Sequence, residues 1–460
     1  MTLHVIVLAA GKGSRMKSNI PKVLHQVAGI PMLHRVIAVA SELAPQATHL
    51  VLGHGMQQIE ASLTEQSVTT STVQQAQQLG TGHAVKLALD HIADDTVSLV
   101  LYGDVPLITG ATLARCVEVA TAGQVGVVTA NFSNPEQLGR ILRNDAGSID
   151  AIVEFRDASP AQKAISEINS GILAAPTHLL RGWLQQVQPN NQQGEYYLTD
   201  IVSLAVRDGV SVQGLLVDEE QEVMGVNDRA QLAQAERLYQ QQQTTALMAQ
   251  GVTLADPARV DIRGELTCGI DCFVDINTVF IGEVTLGEGV TVGPGAIIEN
   301  SHIGANVLIK AHTVIEGAQV ADACQLGPFA RIRPGSEFAE GVKVGNFVET
   351  KKAKLGAGAK ASHLSYLGDA TIGAEANIGA GTVTCNYDGV DKHQTTVGDG
   401  AFVGTNSTLV APLEIGANAF VAAGSTVTAK VAPDTLAVGR ARQRTITKWL
   451  SPLKRKQPAE

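Results

Sequence analysis

The chain has few aromatic residues and no long apolar run, and both absences restrict what it can be. Aromatic residues make up 4% of its 460 residues, which disfavours the base-stacking surfaces of single-strand nucleic-acid binders. Its net charge of −10 is the opposite of the basic excess that coats nucleic acid. No apolar stretch is long enough to span a membrane, and residues 5–10 are too short for a signal peptide and have no basic residue before them. We therefore expect no nucleic-acid partner and no membrane insertion.

Cysteine is also scarce, and its distribution excludes a disulfide framework. The five cysteines are scattered, and none has the histidine spacing of a metal site. Cys268 and Cys272 form one close pair without a second such pair. We interpret all five as reduced thiols, which indicates a cytoplasmic protein. A chain of this length is too long for one hydrophobic core, so two or three domains are expected.

A six-residue repeat dominates the sequence between residues 264 and 435. A period of six fits neither an α-helix nor an alternating strand, and it predicts a parallel β-helix in which three hexads close one triangular coil. The inward column is aliphatic and leaves no cavity, so ligands must bind outside, near the breaks at residues 350–370 and 384–396. The repeated positions are Leu286, Val292, Ile298, Ile303, Ile309, Ile315, Val320, Leu326, Ile332, Phe338, Val344, Val397, Val403, Leu409, Ile415, Val421 and Val427.

Residues 1–228 alternate short aliphatic runs with helical patterns. This rhythm predicts an open, mostly parallel α/β sheet, in which ligands bind beyond the carboxyl ends of the strands. Residues 229–250 lack glycine and proline and indicate a helix that connects this domain to a C-terminal domain over residues 251–460. The predicted strands include 5–8, 49–52, 97–101 and 125–129, and the predicted helices include 33–44, 82–92 and 111–120.

A loop with two glycines and several cations follows the first predicted strand. The glycines allow backbone N–H groups to approach phosphate oxygens, and Lys12, Arg15 and Lys22 can neutralise a triphosphate. The loop is not a Walker loop, because the Gly-Lys-Ser/Thr ending is missing, and Met16 replaces the third glycine of a dinucleotide fingerprint. We expect phosphate binding here. The loop reads Leu8-Ala9-Ala10-Gly11-Lys12-Gly13-Ser14-Arg15.

This loop resembles the signature of the sugar-1-phosphate nucleotidylyltransferases. Together with the hexapeptide repeat, the sequence is similar along essentially its whole length to the bacterial bifunctional N-acetylglucosamine-1-phosphate uridylyltransferase and glucosamine-1-phosphate N-acetyltransferase family. The other family marks follow in order: Gln75, residues 78–84, residues 101–106, Gly139-Arg140, Glu154, Asn169 and Asn227.

The resemblance implies a fold, a reaction and an assembly. The fold is a Rossmann-like nucleotidyltransferase domain, a helical linker and a left-handed parallel β-helix, although the hexads themselves do not show the hand. The enzyme first acetylates glucosamine-1-phosphate with acetyl-CoA. It then transfers UMP from UTP to the acetylated product, with Mg²⁺ as cofactor. The final product, UDP-N-acetylglucosamine, is a precursor of cell wall and lipopolysaccharide. The family is a homotrimer.

Asp104 is the predicted metal ligand of the nucleotide site. It ends an aliphatic strand, and Mg²⁺ is typically held by one or two protein groups together with substrate phosphates. The resemblance supplies Asn227 as the second ligand, and the amide of Gln75 matches a uracil edge. No general base is needed, because the attacking sugar phosphate is already an anion. The resemblance assigns this site to Leu8, Ala9, Ala10, Gly11, Lys12, Arg15, Lys22, Gln75, Gly80, Thr81, Tyr102, Gly103, Asp104, Gly139, Glu154, Asn169 and Asn227.

His363 is the predicted base for acetyl transfer. An amino sugar is largely protonated at neutral pH and must lose a proton before it attacks a thioester, a task that suits histidine. We expect the Glu349 carboxylate to orient the ring. By resemblance, sugar phosphate binds Arg333, Lys351, Tyr366 and Asn377. Acetyl-CoA binds Ala380, Asn386, Tyr387, Thr405, Ala423 and Arg440, and Thr405 keeps the hydroxyl of the serine that is frequent in the family.

Two other functions stay open. A nucleotidylyltransferase could carry its prism only as a scaffold, and His363 together with the loop at residues 386–387 speaks against this. A non-enzymatic subunit of the exchange-factor type could share both domains, and an intact Lys12 and Asp104 speak against that. The basic tail from Lys448 to Lys456 either covers the coenzyme or a neighbouring subunit, or is a disordered end.

Overall fold

The computed structural model describes residues 1–64, 70–135 and 137–452. The chain divides into two compact units, Met1–Gln243 and Thr244–Glu460. The basic residues Lys454, Arg455 and Lys456 lie outside the described residues. Within the described part of the chain, no helix is long and apolar enough to cross a membrane.

The first unit consists of alternating strands and helices. Its strands are β1 (Thr2–Ala9), β2 (Gln26–Val27), β3 (Ile30–Pro31), β4 (Ala47–Leu52), β5 (Thr70–Gln74), β6 (Thr96–Tyr102), β7 (Val125–Asn131), β8 (Arg140–Arg143), β9 (Ile149–Val153), β10 (Glu167–Pro176) and β11 (Val212–Leu216). Its α-helices are α1 (Met32–Ser41), α2 (Met56–Thr64), α3 (Thr81–Leu89), α4 (Gly110–Thr121), α5 (Pro160–Lys163), α6 (Thr177–Leu184), α7 (Asp200–Arg207) and α8 (Arg229–Ala249). Short 3-10 turns occur at Ser14–Met16, Lys22–Leu24 and Glu220–Val223.

Nine of these strands form one sheet with a hydrophobic core on each face, and β2 and β3 pair separately with each other. The strand order is β11-β7-β10-β6-β1-β4-β5. In β1, Val5 and Val7 pack into one core while Ile6 and Leu8 pack into the other, so the strand is apolar throughout. The predicted α/β sheet is confirmed, but β10 runs antiparallel to both of its neighbours, and a hairpin of β8 and β9 extends from it. The sequence pattern did not indicate this antiparallel insertion.

Helix α8 was predicted over residues 229–250 and is observed over Arg229–Ala249. Ala235 is buried together with Val27, Met32 and Val226. Glu236 accepts a hydrogen bond from the Ala28 backbone N–H. The first part of the helix therefore has a packed apolar stripe, and the division between the two units falls within its last turns.

The second unit is built from very short strands. They are β12 (Thr253–Leu254), β13 (Val260–Cys268), β14 (Phe273–Val274), β15 (Thr278–Leu286), β16 (Thr291–Val292), β17 (Ile297–Ile303), β18 (Leu308–Ile309), β19 (Val314–Glu316), β20 (Gln319–Val320), β21 (Gln325–Leu326), β22 (Arg331–Ile332), β23 (Glu337–Phe338), β24 (Lys343–Asn346), β25 (Glu349–Lys351), β26 (Lys354–Leu355), β27 (Lys360–His363), β28 (Tyr366–Gly368), β29 (Ala370–Ile372), β30 (Asn377–Ile378), β31 (Val383–Cys385), β32 (Thr395–Val397), β33 (Phe402–Val403), β34 (Thr408–Val410), β35 (Leu413–Ile415), β36 (Phe420–Val421), β37 (Thr426–Val427) and β38 (Leu436–Ala437). One 3-10 turn lies at Pro257–Arg259.

From β18 to β34 each strand pairs in parallel with the third strand after it, and in the first coils two faces share the long strands β13, β15 and β17. The chain therefore winds as a parallel β-helix with three faces, and the helix is left-handed. The first face runs from β12 through β24, β27 and β30 to β38, and the other two share β17. All the aliphatic positions of the six-residue repeat are buried, which confirms the predicted inward column. The chain turns between faces at residues in the left-handed region, such as Leu364 with φ 49° and Asn406 with φ 55°.

The buried column should determine the stability of the prism. Ile332→Ala removes a side chain that is 0% exposed, and we expect it to lower the free energy of unfolding by about 2–4 kcal/mol because it leaves a cavity. Ile297→Ala changes the same residue type at a position that is 37% exposed, and it should cost less than about 1 kcal/mol. Denaturant titration followed by circular dichroism measures both. Equal costs would contradict the assignment of Ile332 to the core.

Candidate functional site

The predicted nucleotide-site residues gather at the edge of the first sheet where β1, β5 and β6 end. The loop after β1 is shaped by Gly13, whose φ is 58° and where a Cβ would lie 2.6 Å from the Cβ of Lys22. Glycine therefore lets the loop approach the Lys22 turn. Lys12 and Arg15 are exposed and form no ion pair with any residue that the structure describes. Both are available to an anionic ligand.

Lys22, Asp104 and Asn227 meet at one point. The Lys22 Nζ donates to Asp104 Oδ2 and, over 3.0 Å, to Asn227 Oδ1. The Val226 backbone N–H donates to the Asp104 carbonyl over 2.8 Å, which brings the segment before α8 to the end of β6. The two predicted metal ligands thus present their oxygens to a common cation, which in this structure is the Lys22 ammonium.

Gln75 lies beside the start of α3 and is 3% exposed. Its Nε2 donates to the Gly80 carbonyl and to His83 Nδ1, both over 3.1 Å. The sequence suggested that this amide could offer both a donor and an acceptor to a base. Because both Nε2 hydrogens are used, the amide oxygen is the group that remains for a ligand. Gly80 has φ 114°, and a Cβ there would lie 2.5 Å from the Tyr196 carbonyl.

The remaining predicted residues of this unit surround Glu154. The Asn169 N–H donates to the Gly139 carbonyl over 2.9 Å. Burial raises the pKa of Glu154, although a hydrogen bond of 3.1 Å from Thr199 Oγ1 opposes the shift. Burial also raises the pKa of Tyr102, and the charges of Glu154 and Asp104 add to it, so the phenol keeps its proton.

The sequence analysis did not identify the segment from Glu195 to Asp200. Leu198 N–H donates to Thr81 Oγ1 over 3.1 Å, and Gly82 N–H donates to the Tyr196 carbonyl over 2.8 Å. Thr199 precedes α7, and a threonine at that place predicts a helix cap. Its hydroxyl instead contacts Glu154. The sequence therefore marked Thr199 as a helix-capping residue but could not predict its contact with Glu154.

On the prism, Arg333 and Lys351 lie on neighbouring coils of one face. Arg333 Nη1 donates to Glu349 Oε1 over 2.8 Å. The ammonium of Lys392 lies against Lys351, and this contact lowers the pKa of Lys351. Two close ammonium groups favour an anion between them. The sequence analysis did not identify Lys392, because the loop that carries it interrupts the hexads.

Tyr366 and Asn386 lie near these cations, and Asn377 does not. Tyr366 pairs with Glu349 on the coil below. Asn386 is buried and donates to Asp369 Oδ2 over 2.5 Å. Asn377 lies on the first face, paired with Lys360 and Phe402. The predicted sugar-phosphate residues are therefore divided between two faces of the prism.

The loop after Asn386 is held by Asp388. His393 Nε2 donates to Asp388 Oδ2 over 2.7 Å, and the backbone N–H groups of Val390 and Asp391 donate to Oδ1. The hydrogen bond from His393 and the two from the backbone lower the pKa of Asp388. Tyr387 stays exposed and caps the loop through a 2.6 Å hydrogen bond from its hydroxyl to the Gly389 carbonyl.

Of the predicted coenzyme residues, Asn386 and Tyr387 lie in the loop described above. Ala380, Thr405 and Ala423 lie with His363 in one column at a corner of the prism. Each of them directly precedes a corner residue in the left-handed region, where φ is 49° at Leu364, 74° at Gly381, 55° at Asn406 and 71° at Gly424. Arg440 follows β38, and a Cβ at Gly424 would lie 3.8 Å from its Cδ. The column, from bottom to top, consists of His363, Ala380, Thr405 and Ala423.

The expectation that Glu349 orients His363 is wrong. Glu349 pairs with Arg333, whereas the exposed His363 places Nδ1 2.7 Å from Asn346 Oδ1. Because an amide oxygen accepts, Nδ1 carries the proton and Nε2 is free to accept one. Asn346 lies 17 residues earlier, one coil below, and pairs directly with His363. The coil length could have identified this neighbour, since a prism stacks residues one turn apart.

Comparison with known proteins extends over both units. Residues 5–194 match the MobA-like NTP transferase domain. A bifunctional protein GlmU from Marinobacter nauticus is 52% identical over 98% of this chain and 99% of its own length. Those from Idiomarina loihiensis and Pseudomonas entomophila are 50% and 51% identical over 99% of this chain and all of theirs.

The environment of Glu154 predicts a pH-dependent stability. Because its pKa is raised in the folded protein, the contribution of Glu154 to stability is present below the unfolded pKa of about 4.3 and is lost as the pH rises through the folded value. Glu154→Gln should therefore raise the melting temperature at pH 8, and the gain should vanish near pH 4. Differential scanning fluorimetry across this range measures it.

Glu167→Gln is the matched control. Burial raises the pKa of Glu167, but hydrogen bonds of 2.8 and 2.7 Å from Arg143 outweigh it and the net shift is downward. This variant should lower the melting temperature at pH 8, opposite in sign to Glu154→Gln. A loss of stability in both variants at pH 8 would contradict the burial of an ionised Glu154.

Proposed function

Because this chain belongs to the bifunctional protein GlmU family, we propose that its two units carry out two consecutive reactions. It is a bifunctional transferase of UDP-N-acetylglucosamine synthesis. It uses acetyl-CoA to acetylate glucosamine-1-phosphate and UTP to convert the product into the nucleotide sugar. We assign uridylyl transfer to residues 1–228 and acetyl transfer to residues 251–460, with residues 229–250 as linker.

Uridylyl transfer needs charge neutralisation and alignment, because the attacking phosphate oxygen is already negative. The free cations Lys12 and Arg15 support this assignment, as do the oxygens of Asp104 and Asn227 that converge on one cation. A carboxylate and an amide oxygen fit Mg²⁺, so we propose these two residues as its ligands. The metal, when bound, supplies neutralisation of phosphate charge. The remaining assigned residues of this unit position the base, the ribose and the sugar.

Acetyl transfer needs a base, because the amino group must lose its proton before it attacks the thioester. We propose that His363 Nε2 accepts that proton, while Asn346 holds Nδ1–H and so fixes the ring. Ala380, Thr405 and Ala423 form the coenzyme column above His363, with Arg440 at its end. We propose that the thioester lies at the bottom of the column, next to the imidazole.

We propose that the sugar phosphate binds between Arg333, Lys351 and Lys392. The opposed ammonium groups of Lys351 and Lys392 support this assignment. Tyr366 lies on the same face and contributes to sugar binding. Asn377, which lies on another face, reaches the same sugar only if a second subunit brings its own face close to this one.

We propose that the chain forms a homotrimer in the cytoplasm, where both cosubstrates are made. A corner of the prism carries exposed apolar residues, Phe329, Phe347 and Leu364, that are 49%, 57% and 61% exposed. The two phenylalanine rings stack with centroids 5.5 Å apart. Leu364 follows His363 directly, so a second copy that covers this corner also closes the acetyl site. Three such contacts form a closed ring.

We propose that the product, UDP-N-acetylglucosamine, supplies cell-wall and lipopolysaccharide synthesis.

One incubation tests the overall reaction. The purified chain, given glucosamine-1-phosphate, acetyl-CoA, UTP and Mg²⁺, should release coenzyme A and pyrophosphate and form UDP-N-acetylglucosamine, identified by mass spectrometry. A scaffold prism would release pyrophosphate only when N-acetylglucosamine-1-phosphate is supplied directly. A non-enzymatic subunit would release neither product. The bifunctional relatives that match the whole chain favour the first outcome.

The two sites should fail independently. His363→Ala should lower coenzyme A release by roughly 10²-fold or more, the usual contribution of a general base, and leave pyrophosphate release unchanged. Asp104→Ala should abolish magnesium-dependent pyrophosphate release and leave coenzyme A release unchanged. Each variant is assayed for coenzyme A and for pyrophosphate. N-acetylglucosamine-1-phosphate is supplied directly in the pyrophosphate assay, so that this assay does not depend on acetyl transfer. A joint loss in either correctly assembled variant would refute the assignment of separate sites.

The apolar corner predicts a mutation that separates the subunits. Phe347→Asp places a charge where the proposed contact excludes water, and it should reduce the mass measured by size-exclusion chromatography with light scattering to that of one chain. Ile270→Asp, at a position that is 56% exposed on an early coil, is the control and should remain trimeric. Circular dichroism should be unchanged in both, because neither side chain lies in the core. A trimeric Phe347→Asp variant would place the interface elsewhere.

A further inference from the structure

We propose that Lys22 is a built-in cation of the nucleotide site, which occupies the position between Asp104 and Asn227 until the metal ion displaces it. The inference rests on the metal ligands assigned under the proposed function. Its basis is that one ammonium contacts both ligand oxygens, with Nζ 3.0 Å from Asn227 Oδ1 and hydrogen-bonded to Asp104 Oδ2. In this role Lys22 competes with the metal in the free enzyme.

The two ligands remain in place without the lysine. Asp104 follows β6, and its carbonyl accepts a hydrogen bond of 2.8 Å from the Val226 N–H. The Asn227 N–H donates to Gln231 Oε1 over 2.8 Å at the start of α8. These backbone contacts do not involve Lys22. We therefore expect the side-chain oxygens of Asp104 and Asn227 to stay close together when the Lys22 ammonium is removed.

The ammonium and a divalent cation cannot share this position. Mg²⁺ binds oxygen at about 2.1 Å and requires near-octahedral geometry, so an ammonium in contact with the same two oxygens would lie within van der Waals distance of the metal. Two positive charges at that separation repel strongly. Metal binding and the contact of Lys22 with Asp104 therefore exclude each other.

The position of its stem determines where the displaced ammonium goes. Lys22 begins the turn Lys22–Leu24, and its Cβ lies close to Gly13. A Cβ added to Gly13 would be only 2.6 Å from the Lys22 Cβ. Gly13 belongs to the loop that also carries Lys12 and Arg15. An ammonium released from Asp104 and Asn227 would therefore lie close to this loop. Lys22 would there add its positive charge to those of Lys12 and Arg15, which are proposed to bind the triphosphate.

Binding of Mn²⁺ to the full chain, without nucleotide and at constant ionic strength, tests the competition. Electron paramagnetic resonance measures the free Mn²⁺. If the lysine-bound state makes up nine-tenths of the free enzyme, Lys22→Met should bind Mn²⁺ roughly tenfold more tightly than wild type. Lys12→Met removes an exposed loop lysine with no described ion pair and should bind as wild type does. Unchanged or weaker binding by Lys22→Met overturns the proposal.

A second readout follows the lysine itself. Reductive methylation with peptide mass spectrometry should label Lys22 slowly in the free wild-type chain, because its side chain is 14% exposed, and several-fold faster when Mg²⁺ is added. The labelling of Lys12 should not respond to Mg²⁺. Slower or unchanged labelling of Lys22 in the presence of Mg²⁺ overturns the displacement.

Asp104→Asn separates failure of this inference from failure of the metal assignment. If that change abolishes Mn²⁺ binding but Lys22→Met does not tighten it, the metal ligands stand and only the competition is wrong. If Asp104→Asn binds Mn²⁺ as well as wild type does, the assigned ligands are wrong and the competition falls with them.

Discussion

A prism filled with aliphatic side chains has no interior in which a ligand can bind, and this constraint determines where its chemistry can occur. Each coil sends one residue per hexad inward, usually an aliphatic one, and these positions are buried along the repeat. The polar side chains buried in the described part of the prism are small, chiefly Ser and Thr, and its charged side chains lie on the faces and corners. His363 is exposed at one corner, with the proposed coenzyme residues Ala380, Thr405 and Ala423 stacked above it. Such a site is open on its outer side, which is why a second subunit is part of the proposal.

The α/β unit solves a different problem by a different arrangement. A nucleotide and a sugar phosphate repel each other, so this site needs concentrated positive charge rather than a base. Parallel strands end at one edge, where the segment after β1 supplies a glycine loop and cations and the segment after β6 supplies the Asp104 carboxylate. Lys22 and Asp104, far apart in sequence, meet at that edge. The fold brings together groups that the order of the sequence keeps apart.

The sequence predicted periodic features well and individual partners poorly. The six-residue repeat identified the buried column, and the aliphatic runs located β1, β4, β6 and β7, because burial imposes a regular pattern. The antiparallel β10 was missed, since the composition of a strand does not show the direction in which it runs. Glu349 was chosen for its charge, whereas the contact of His363 depends on coil length and goes to Asn346. Lys392 was missed because its loop leaves the repeat.

The choice of Asn346 has a chemical consequence for the acetyl site. A carboxylate next to the imidazole would favour the imidazolium and add a negative charge close to a phosphate and to an oxygen that becomes negative as the thioester is attacked. An amide oxygen fixes the same ring tautomer without that charge. The Glu349 carboxylate is instead neutralised by Arg333 over 2.8 Å, and the Asp369 carboxylate accepts a hydrogen bond from Asn386. In the proposed acetyl site, orientation by a neutral group thus keeps His363 Nε2 available as a base next to the cations that would hold an anionic sugar phosphate.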